Sequence, residues 1–189
     1  MNKLRFSYTL GNLWRSGRYE DAVNFYLKKS MPKSKAMEMG TEWDNRACEY
    51  AIKNNKLLPE FGGDDLKNPR TQVKIEKDFN KICTVVGVID ILTDDIIFEL
   101  KTGNAKDSAD YATDFQVSMY LMLLEEKVDK AYIVHYDQYR QEHDRTLIWN
   151  TEQERERGRN FIESLAPEIF SYFEKEGILG IDKNLSNTI

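Results

Sequence analysis

Five short segments of the chain, in which apolar residues run together or alternate with polar ones, predict β-strands. They cover residues 71–79, 82–92, 96–100, 130–137 and 145–150. The segments TVVGVIDIL and IIFEL, which lie in the second and third of these, are apolar at nearly every position. Such runs are typical of strands that are covered on both faces, so we expect these two at the centre of a sheet.

Apolar residues at helical spacing predict helices before, between and after the strands. Apolar residues at this spacing lie between Leu10 and Leu27, and a polar connector follows up to Gly40. A helix that opens at Thr41 as its N-cap carries the segment EWDNRACEYAIKNN. Two more helices are expected over residues 109–126 and from Thr151 onward. Strands that meander between helices indicate an α/β (α+β) domain, with a central β-sheet flanked by helices. We expect a helical extension over residues 1–40 and the main domain over residues 41–189, together forming one compact unit.

The amino-acid composition excludes several classes of protein. With 189 residues and 41% hydrophobic content, the chain is long enough to bury a core. The two cysteines, Cys48 and Cys83, lie far apart in sequence, which gives no support to a disulfide framework or a zinc site. We therefore expect a reduced cytosolic protein. No apolar run is long enough to span a membrane, and the net charge of −5 argues against a basic protein that coats nucleic acid.

Three charged residues interrupt the two apolar strands. If Asp94 and Asp95 form a two-residue turn, the strands on either side pair so that Asp90 lies directly opposite Glu99. Lys101, two residues further along, points to the same face. Two carboxylates whose Cβ atoms lie about 5 Å apart do not both ionise cheaply without a cation between them. A divalent metal bound by Asp90 and Glu99 resolves this conflict.

An alternative interpretation makes the same charges structural. Lys101 would then form a diagonal salt bridge with Asp90 on a solvated face of the sheet, where such pairs are common. The apolar surroundings favour the first interpretation, because buried unpaired acids are costly unless a ligand compensates them.

The charged hairpin resembles the signature of the PD-(D/E)xK nuclease superfamily, with Asp90 followed by Glu99-Leu100-Lys101. Downstream, Gln116 and Tyr120 match the Q-x3-Y element of the RecB-like and lambda-type exonuclease branch. Residues spaced i, i+4 share one face of a helix. This pair is therefore either a half-exposed polar stripe, or it presents an amide and a hydroxyl to a DNA phosphate or to the lysine.

The segment GTEWDNRACEY, which begins at Gly40, resembles the first-helix motif of the lambda-exonuclease and YqaJ-like viral recombinases. In these families a glycine is followed four residues later by an acid, which here is Asp44. They more often have glutamate at this position, and the RecB-like enzymes often have histidine. Glu49, on the same predicted helix, is the alternative third acid.

The resemblance implies a restriction-endonuclease-like core that binds Mg²⁺ or Mn²⁺. The implied metal ligands are Asp44, Asp90, Glu99 and the main-chain carbonyl of Leu100, and the residues with an implied catalytic part are Asp90, Glu99, Lys101, Gln116 and Tyr120. Lys101 would orient and activate the attacking water or stabilise the developing charge. No iron–sulfur cluster is expected, because the four-cysteine cluster of the CRISPR-associated relatives is absent.

The resemblance also implies a function. It points to an exonuclease that processes linear duplex or single-stranded DNA ends in phage-type recombination or repair, in the cytoplasm of a bacterial host cell and without a membrane. A single-strand annealing protein would be its partner, and processive members of this branch close into homo-oligomeric rings. Two alternatives stay open: a module of the same fold that binds nucleic acid without cutting it, and a structure-specific endonuclease.

Overall fold

The computed structural model of the chain describes residues 2–29, 34–103, 111 and 114–179. Within them, six strands form one mixed sheet and five helices flank it. The strands are β1 (Leu4–Phe6), β2 (Arg70–Asp78), β3 (Cys83–Leu92), β4 (Ile96–Gly103), β5 (Lys130–Asp137) and β6 (Glu142–Trp149), and the helices are α1 (Tyr8–Arg15), α2 (Tyr19–Tyr26), α3 (Lys35–Asn54), α4 (Gln116–Leu124) and α5 (Glu152–Lys175). This architecture confirms the predicted α/β class with a central mixed sheet. In the part of the chain just defined, no helix is both long and apolar enough to cross a membrane.

The strand order puts the charged hairpin inside the sheet. Hydrogen bonds join the strands in the order β1-β3-β4-β5-β6, and β2 also pairs with β3. β4 runs antiparallel to β3 and parallel to β5. A parallel pair needs a crossover connection, and α4 lies in the segment that joins β4 to β5. Side chains of β3 and β4 such as Ile91 and Ile97 are fully buried, as the apolar runs predict.

The chain divides into two compact units. The larger unit comprises residues 33–75 and 88–158, and it contains every candidate site residue. The smaller unit comprises residues 1–32, 76–87 and 159–189.

The sheet of the larger unit carries a core on each face. Small residues of α3, namely Ala47, Cys48 and Ala51, pack in a cluster with Phe98 and Leu100 of β4. Because successive side chains of a strand point to opposite faces, Ile97 of β4 joins the opposite cluster. That second cluster contains Ile97 of β4, Val117, Tyr120 and Leu121 of α4, and Ala131 and Ile133 of β5.

The smaller unit is held by aromatic contacts. Phe6 of β1 packs edge-on against Phe161 of α5, with ring centroids 5.9 Å apart. Gly11 leaves room for this pair, because a Cβ atom at this position would lie 2.6 Å from the Phe6 ring. Tyr26 of α2 packs against Phe173 with ring centroids 4.7 Å apart. These contacts fix β1 near the middle of α5 and α2 near its C-terminal end.

The expectation of a helical extension over residues 1–40 leaves out β1. This strand pairs in parallel with β3, with Leu4 beside Cys83 and Phe6 beside Val85. Three residues are too few to give a period-two pattern, so the strand is specified by its partner rather than by its own sequence.

The prediction that Thr41 is an N-cap is also wrong. α3 begins at Lys35, and the hydroxyl of Ser34 accepts the N–H of Met37 at 3.2 Å. Thr41 lies inside the helix, where its hydroxyl donates to the Met37 carbonyl at 2.9 Å. Either residue type can cap a helix, and the helix-forming residues between the two positions extend α3 to the earlier one. The predicted domain boundary at residue 40 falls inside α3 and stays a prediction.

The helix predicted over residues 109–126 corresponds in part to α4. Of that range, residues 109, 110, 112 and 113 lie outside the described residues. The described helix begins at Gln116 and ends at Leu124, because Glu125 takes a left-handed backbone conformation with φ +55°.

Candidate active site

The β3–β4 hairpin has the predicted register at the pairs that the structure records. Ile91 pairs with Phe98 and Leu92 pairs with Ile97. The N–H of Thr93 donates to the Ile96 carbonyl at 2.9 Å, which closes the two-residue turn at Asp94 and Asp95. The charged residues that follow are thus fixed by a tight, regular hairpin.

Beyond Ile91 the two strands separate. The N–H of Leu100, which a continued ladder would give to a main-chain carbonyl of β3, donates instead to Asp90 Oδ2 at 2.9 Å. The prediction that Asp90 lies directly opposite Glu99 is therefore wrong in detail, because no recorded pair of the β3–β4 ladder lies beyond Ile91 and Phe98. The Asp90 carboxylate is inserted between the strands rather than standing above them.

Glu99 and Lys101 lie on one face of β4, as the alternation of side chains predicts. Lys101 Nζ donates to Glu99 Oε1 at 2.7 Å and to Gln116 Oε1 at 2.9 Å. Glu99 is 3% exposed. Its second oxygen, Oε2, is buried and has no hydrogen-bond partner within the described part of the chain. This buried ion pair differs from the solvated salt bridge to Asp90 that the structural alternative assumed.

Gln116 and Tyr120 continue the chain of hydrogen bonds away from Lys101. Gln116 Nε2 donates to the Tyr120 hydroxyl at 2.8 Å, and that hydroxyl donates to the Val88 carbonyl at 2.6 Å. Tyr120 is 3% exposed, so the pair is not a half-exposed polar stripe. Its contacts are directed to the lysine and to β3.

α3 approaches the hairpin with a face that carries Asp44 and Cys48. These residues are spaced i, i+4, and Cys48 Sγ donates to the Asp90 carbonyl at 3.5 Å. Asp44 is half-buried on the same face of the helix. Glu49, the alternative third acid, is exposed and lines an open groove together with Arg46 and Lys53. The structure therefore brings Asp44 to the hairpin and does not bring Glu49 there.

Burial raises the pKa of the three carboxyl groups at this point, and the charge of Asp90 further raises the pKa of Asp44 and of Glu99. Burial, together with the nearby charge of Asp90, raises the pKa of Glu99 to about 8. Burial and the charge of Asp90 also raise the pKa of Asp44 to about 7. The pKa of Asp90 is raised by burial, and the Leu100 N–H opposes that rise. Lys101 lowers all three values, so a single ammonium is shared by three acids.

The donor set fits a hard divalent cation. Asp90 and Glu99 supply carboxylate oxygens, which Mg²⁺ and Mn²⁺ prefer, and Glu99 Oε2 is a buried oxygen in need of a partner. No group of three or more His, Cys, Asp or Glu side chains in the described ranges is gathered closely enough to hold a metal by itself. Mg²⁺ commonly keeps several waters and binds through one or two carboxylates, so Asp90 and Glu99 suffice.

One residue beside the acids was missed by the sequence reasoning. Gln72 of β2 places its Nε2 atom 3.5 Å from Asp90 Oδ1 and 3.6 Å from Cys48 Sγ. In the sequence it occupies an ordinary exposed position of an alternating strand, and no motif includes it. No local signal distinguishes it, because its place depends on how β2, β3 and α3 come together.

Comparison with known proteins agrees with this geometry. The sequence matches the PD-(D/E)XK nuclease superfamily over residues 12–176. No match is found among curated proteins. Among solved structures, an alkaline exonuclease (LHK-Exo) from Laribacter hongkongensis has 14% identity and a TM-score of 0.52, over 92% of this chain and 93% of that one. LHK-Exo has also been solved in complex with dAMP.

Two further structures share the fold. A candidate exonuclease from Eubacterium rectale has 15% identity and a TM-score of 0.62, over 98% of this chain and 88% of that one. A phage related exonuclease from Haemophilus somnus has 11% identity and a TM-score of 0.54, over 85% and 82% of the two chains. At these identities the likeness is one of fold. The family match spans most of the sequence, and the chain belongs to the PD-(D/E)XK nuclease superfamily.

Proposed function

We propose that the protein is a metal-dependent deoxyribonuclease, and that it acts as an exonuclease on DNA ends. The observation that carries this proposal is the placement of Lys101. Its ammonium is held between Glu99 Oε1 and Gln116 Oε1, beside a buried Glu99 oxygen that lacks a partner among the described residues. A protein that only binds DNA has no use for buried acids, which repel phosphate unless a cation is present.

A divalent ion is expected, since PD-(D/E)XK nucleases generally use divalent metal ions such as Mg²⁺. We assign Asp90, Glu99, Asp44 and the main-chain carbonyl of Leu100 as the groups that would hold it, Asp44 directly or through water. Mg²⁺ or Mn²⁺ would neutralise the attacked phosphate and lower the pKa of a bound water. The raised pKa values of Asp44 and Glu99 support this assignment, because they mark acids that are short of positive charge.

The chain's own residues perform the remaining steps. Lys101 donates to the attacking water or to a phosphate oxygen, and Glu99 and Gln116 fix the direction in which its ammonium points. Tyr120 holds Gln116 through its hydroxyl, which is anchored in turn on the Val88 carbonyl. Burial of Glu99 and Tyr120 restricts the motion of this network.

DNA ends are the proposed substrate. The support comes from the named relatives of the same fold, which include an alkaline exonuclease and a phage related exonuclease. The single-strand annealing partner, the homo-oligomer and the bacterial cytoplasm stay proposals that rest on the resemblance of the motifs. A structure-specific endonuclease and a non-cleaving module on the same fold are the alternatives that an experiment must separate.

The test compares an end-labelled linear duplex with a covalently closed circle of the same sequence. Each is incubated with wild type and with Glu99→Gln, in Mg²⁺, in Mn²⁺ and in chelator. We expect metal-dependent loss of the linear DNA alone, and no loss with the variant. Cutting of the closed circle would favour the endonuclease, and two intact DNAs with a folded wild type would favour the binding module.

A further inference from the structure

Gln72 has a backbone conformation that strands rarely contain. Its φ is +49°, inside the left-handed region, although it lies within β2 and carries a Cβ atom. This region is sterically unfavourable for a residue other than glycine, and such residues cluster at functional sites. Local distortions of strands beside active sites commonly redirect a side chain. The distortion at Gln72 directs an amide toward the acids of the site.

The contacts of Asp90 indicate what the side-chain amide of Gln72 does. Its Oδ2 accepts the Leu100 N–H at 2.9 Å, and its main-chain carbonyl accepts the Cys48 thiol at 3.5 Å. The remaining oxygen, Oδ1, faces Gln72 Nε2 at 3.5 Å. This distance is at the long end for a hydrogen bond. Among the described residues that contact the Asp90 carboxylate, Gln72 is the one whose side chain is exposed.

We propose that Gln72 is a positioning residue, which fixes the orientation of the Asp90 carboxylate for the metal by donating from Nε2 to Oδ1. The inference rests on the proposed function, in which Asp90 is a metal ligand. Partners that orient a ligand from the second layer typically contribute a factor of 10 or more to metal affinity. A purely structural role, in which Gln72 only ties β2 to α3, predicts a loss of stability and no change in affinity for the metal.

The experiment measures the affinity for Mn²⁺ alone by titration calorimetry, with chelator-treated full-length protein. Gln72→Met keeps the length of the side chain and removes the amide. Gln141→Met is the matched control, because Gln141 is also an exposed glutamine with a left-handed backbone, at φ +57°. We expect Gln72→Met to bind Mn²⁺ about 10-fold more weakly than wild type. Gln141→Met should bind as wild type does.

A second pair of variants tests the positive φ of Gln72 and Gln141. Glycine relieves the strain of a positive φ, so Gln72→Gly and Gln141→Gly should each raise Tm, by about 2 °C. We expect Gln72→Gly to combine this higher Tm with the weaker Mn²⁺ binding of Gln72→Met, a combination that a structural role does not produce. Equal Mn²⁺ affinity in wild type and both Gln72 variants would overturn the role of Gln72. Failure of the wild type itself to bind Mn²⁺ would overturn the proposed function instead.

Discussion

The side-chain oxygen of Gln116 accepts a hydrogen bond from the ammonium of Lys101 at 2.9 Å. The lysine is on β4 and the glutamine is the first residue of α4, so the contact ties a central strand to the helix that follows it. The same ammonium is 2.7 Å from Glu99 Oε1, which leaves it two fixed acceptors. These two acceptors, one on β4 and one on α4, fix the direction in which the ammonium points.

Replacement of Lys101 by methionine should abolish cutting while the fold is kept. The variant removes the donor aimed at the reacting water, and we expect the cleavage rate to fall by at least about 100-fold. Glu99 tolerates the loss, because its raised pKa lets it take up a proton. Initial rates on a linear duplex measure the effect, with circular dichroism as the check on folding. Lys56→Met, at an exposed lysine paired with Asp65, is the control. Retained cleavage in Lys101→Met would refute the assignment of Lys101 to the active site.

Replacement of Tyr120 by phenylalanine should act through the lysine. It leaves the Gln116 amide and the Val88 carbonyl without their partner, at a cost of about 1–2 kcal/mol in the free energy of unfolding. We expect kcat to fall by roughly 10-fold with KM unchanged, because the hydroxyl is buried and does not face substrate. In the Lys101→Met background the same substitution should leave the residual rate unaltered. Equal effects in both backgrounds would mean that Tyr120 acts independently of the lysine.

The hairpin was predictable because each of its features is local. Apolar runs on both sides of Asp94 and Asp95 define two strands, and a two-residue turn allows one register. Alternation of side chains then puts Glu99 and Lys101 on one face. The family signature adds no geometry to this; it adds the expectation of a metal.

The parts that escaped prediction depend on residues distant in sequence. The Leu100 N–H that holds Asp90 is a main-chain group, which no side-chain pattern encodes. Gln72 reaches Asp90 only because β2 and α3 converge there. The start of α3 was missed for a different reason, since Ser34 and Thr41 are both good caps and propensity alone does not rank them.

The start of α3 leads to a prediction that compares Ser34 with Thr41. Ser34→Ala removes the hydroxyl that accepts the Met37 N–H, and should lower the free energy of unfolding by about 1 kcal/mol. Thr41→Ala removes a hydroxyl that only bonds back to the helix, and alanine is the better helix former. We expect this variant to be neutral or slightly more stable in urea unfolding. The reverse order of the two stabilities would mean that the helix begins at Thr41 in solution.

The raised pKa values of the acids predict how stability varies with pH in the absence of metal. Glu99 has an ordinary pKa of 4.5, and about 8 in the folded protein. Between these values the folded state keeps a proton that the unfolded state releases, so the free energy of unfolding falls as pH rises. Asp44, with a folded pKa of about 7, adds to the same slope over the lower part of this window. The stabilisation is fully present below about pH 4.5 and is lost as the pH passes 8.

Urea unfolding of chelator-treated protein at several pH values between 4.5 and 8 measures this slope. The part of the free energy of unfolding that is lost through Glu99 should be on the order of a few kcal/mol. Glu99→Gln should remove most of the slope, because glutamine does not titrate. Asp44→Asn should remove a smaller share. Saturating Mg²⁺ should flatten the slope in the wild type, since a bound cation lets the acids ionise at lower pH. A wild-type slope that Mg²⁺ leaves unchanged would mean that these acids do not bind the ion.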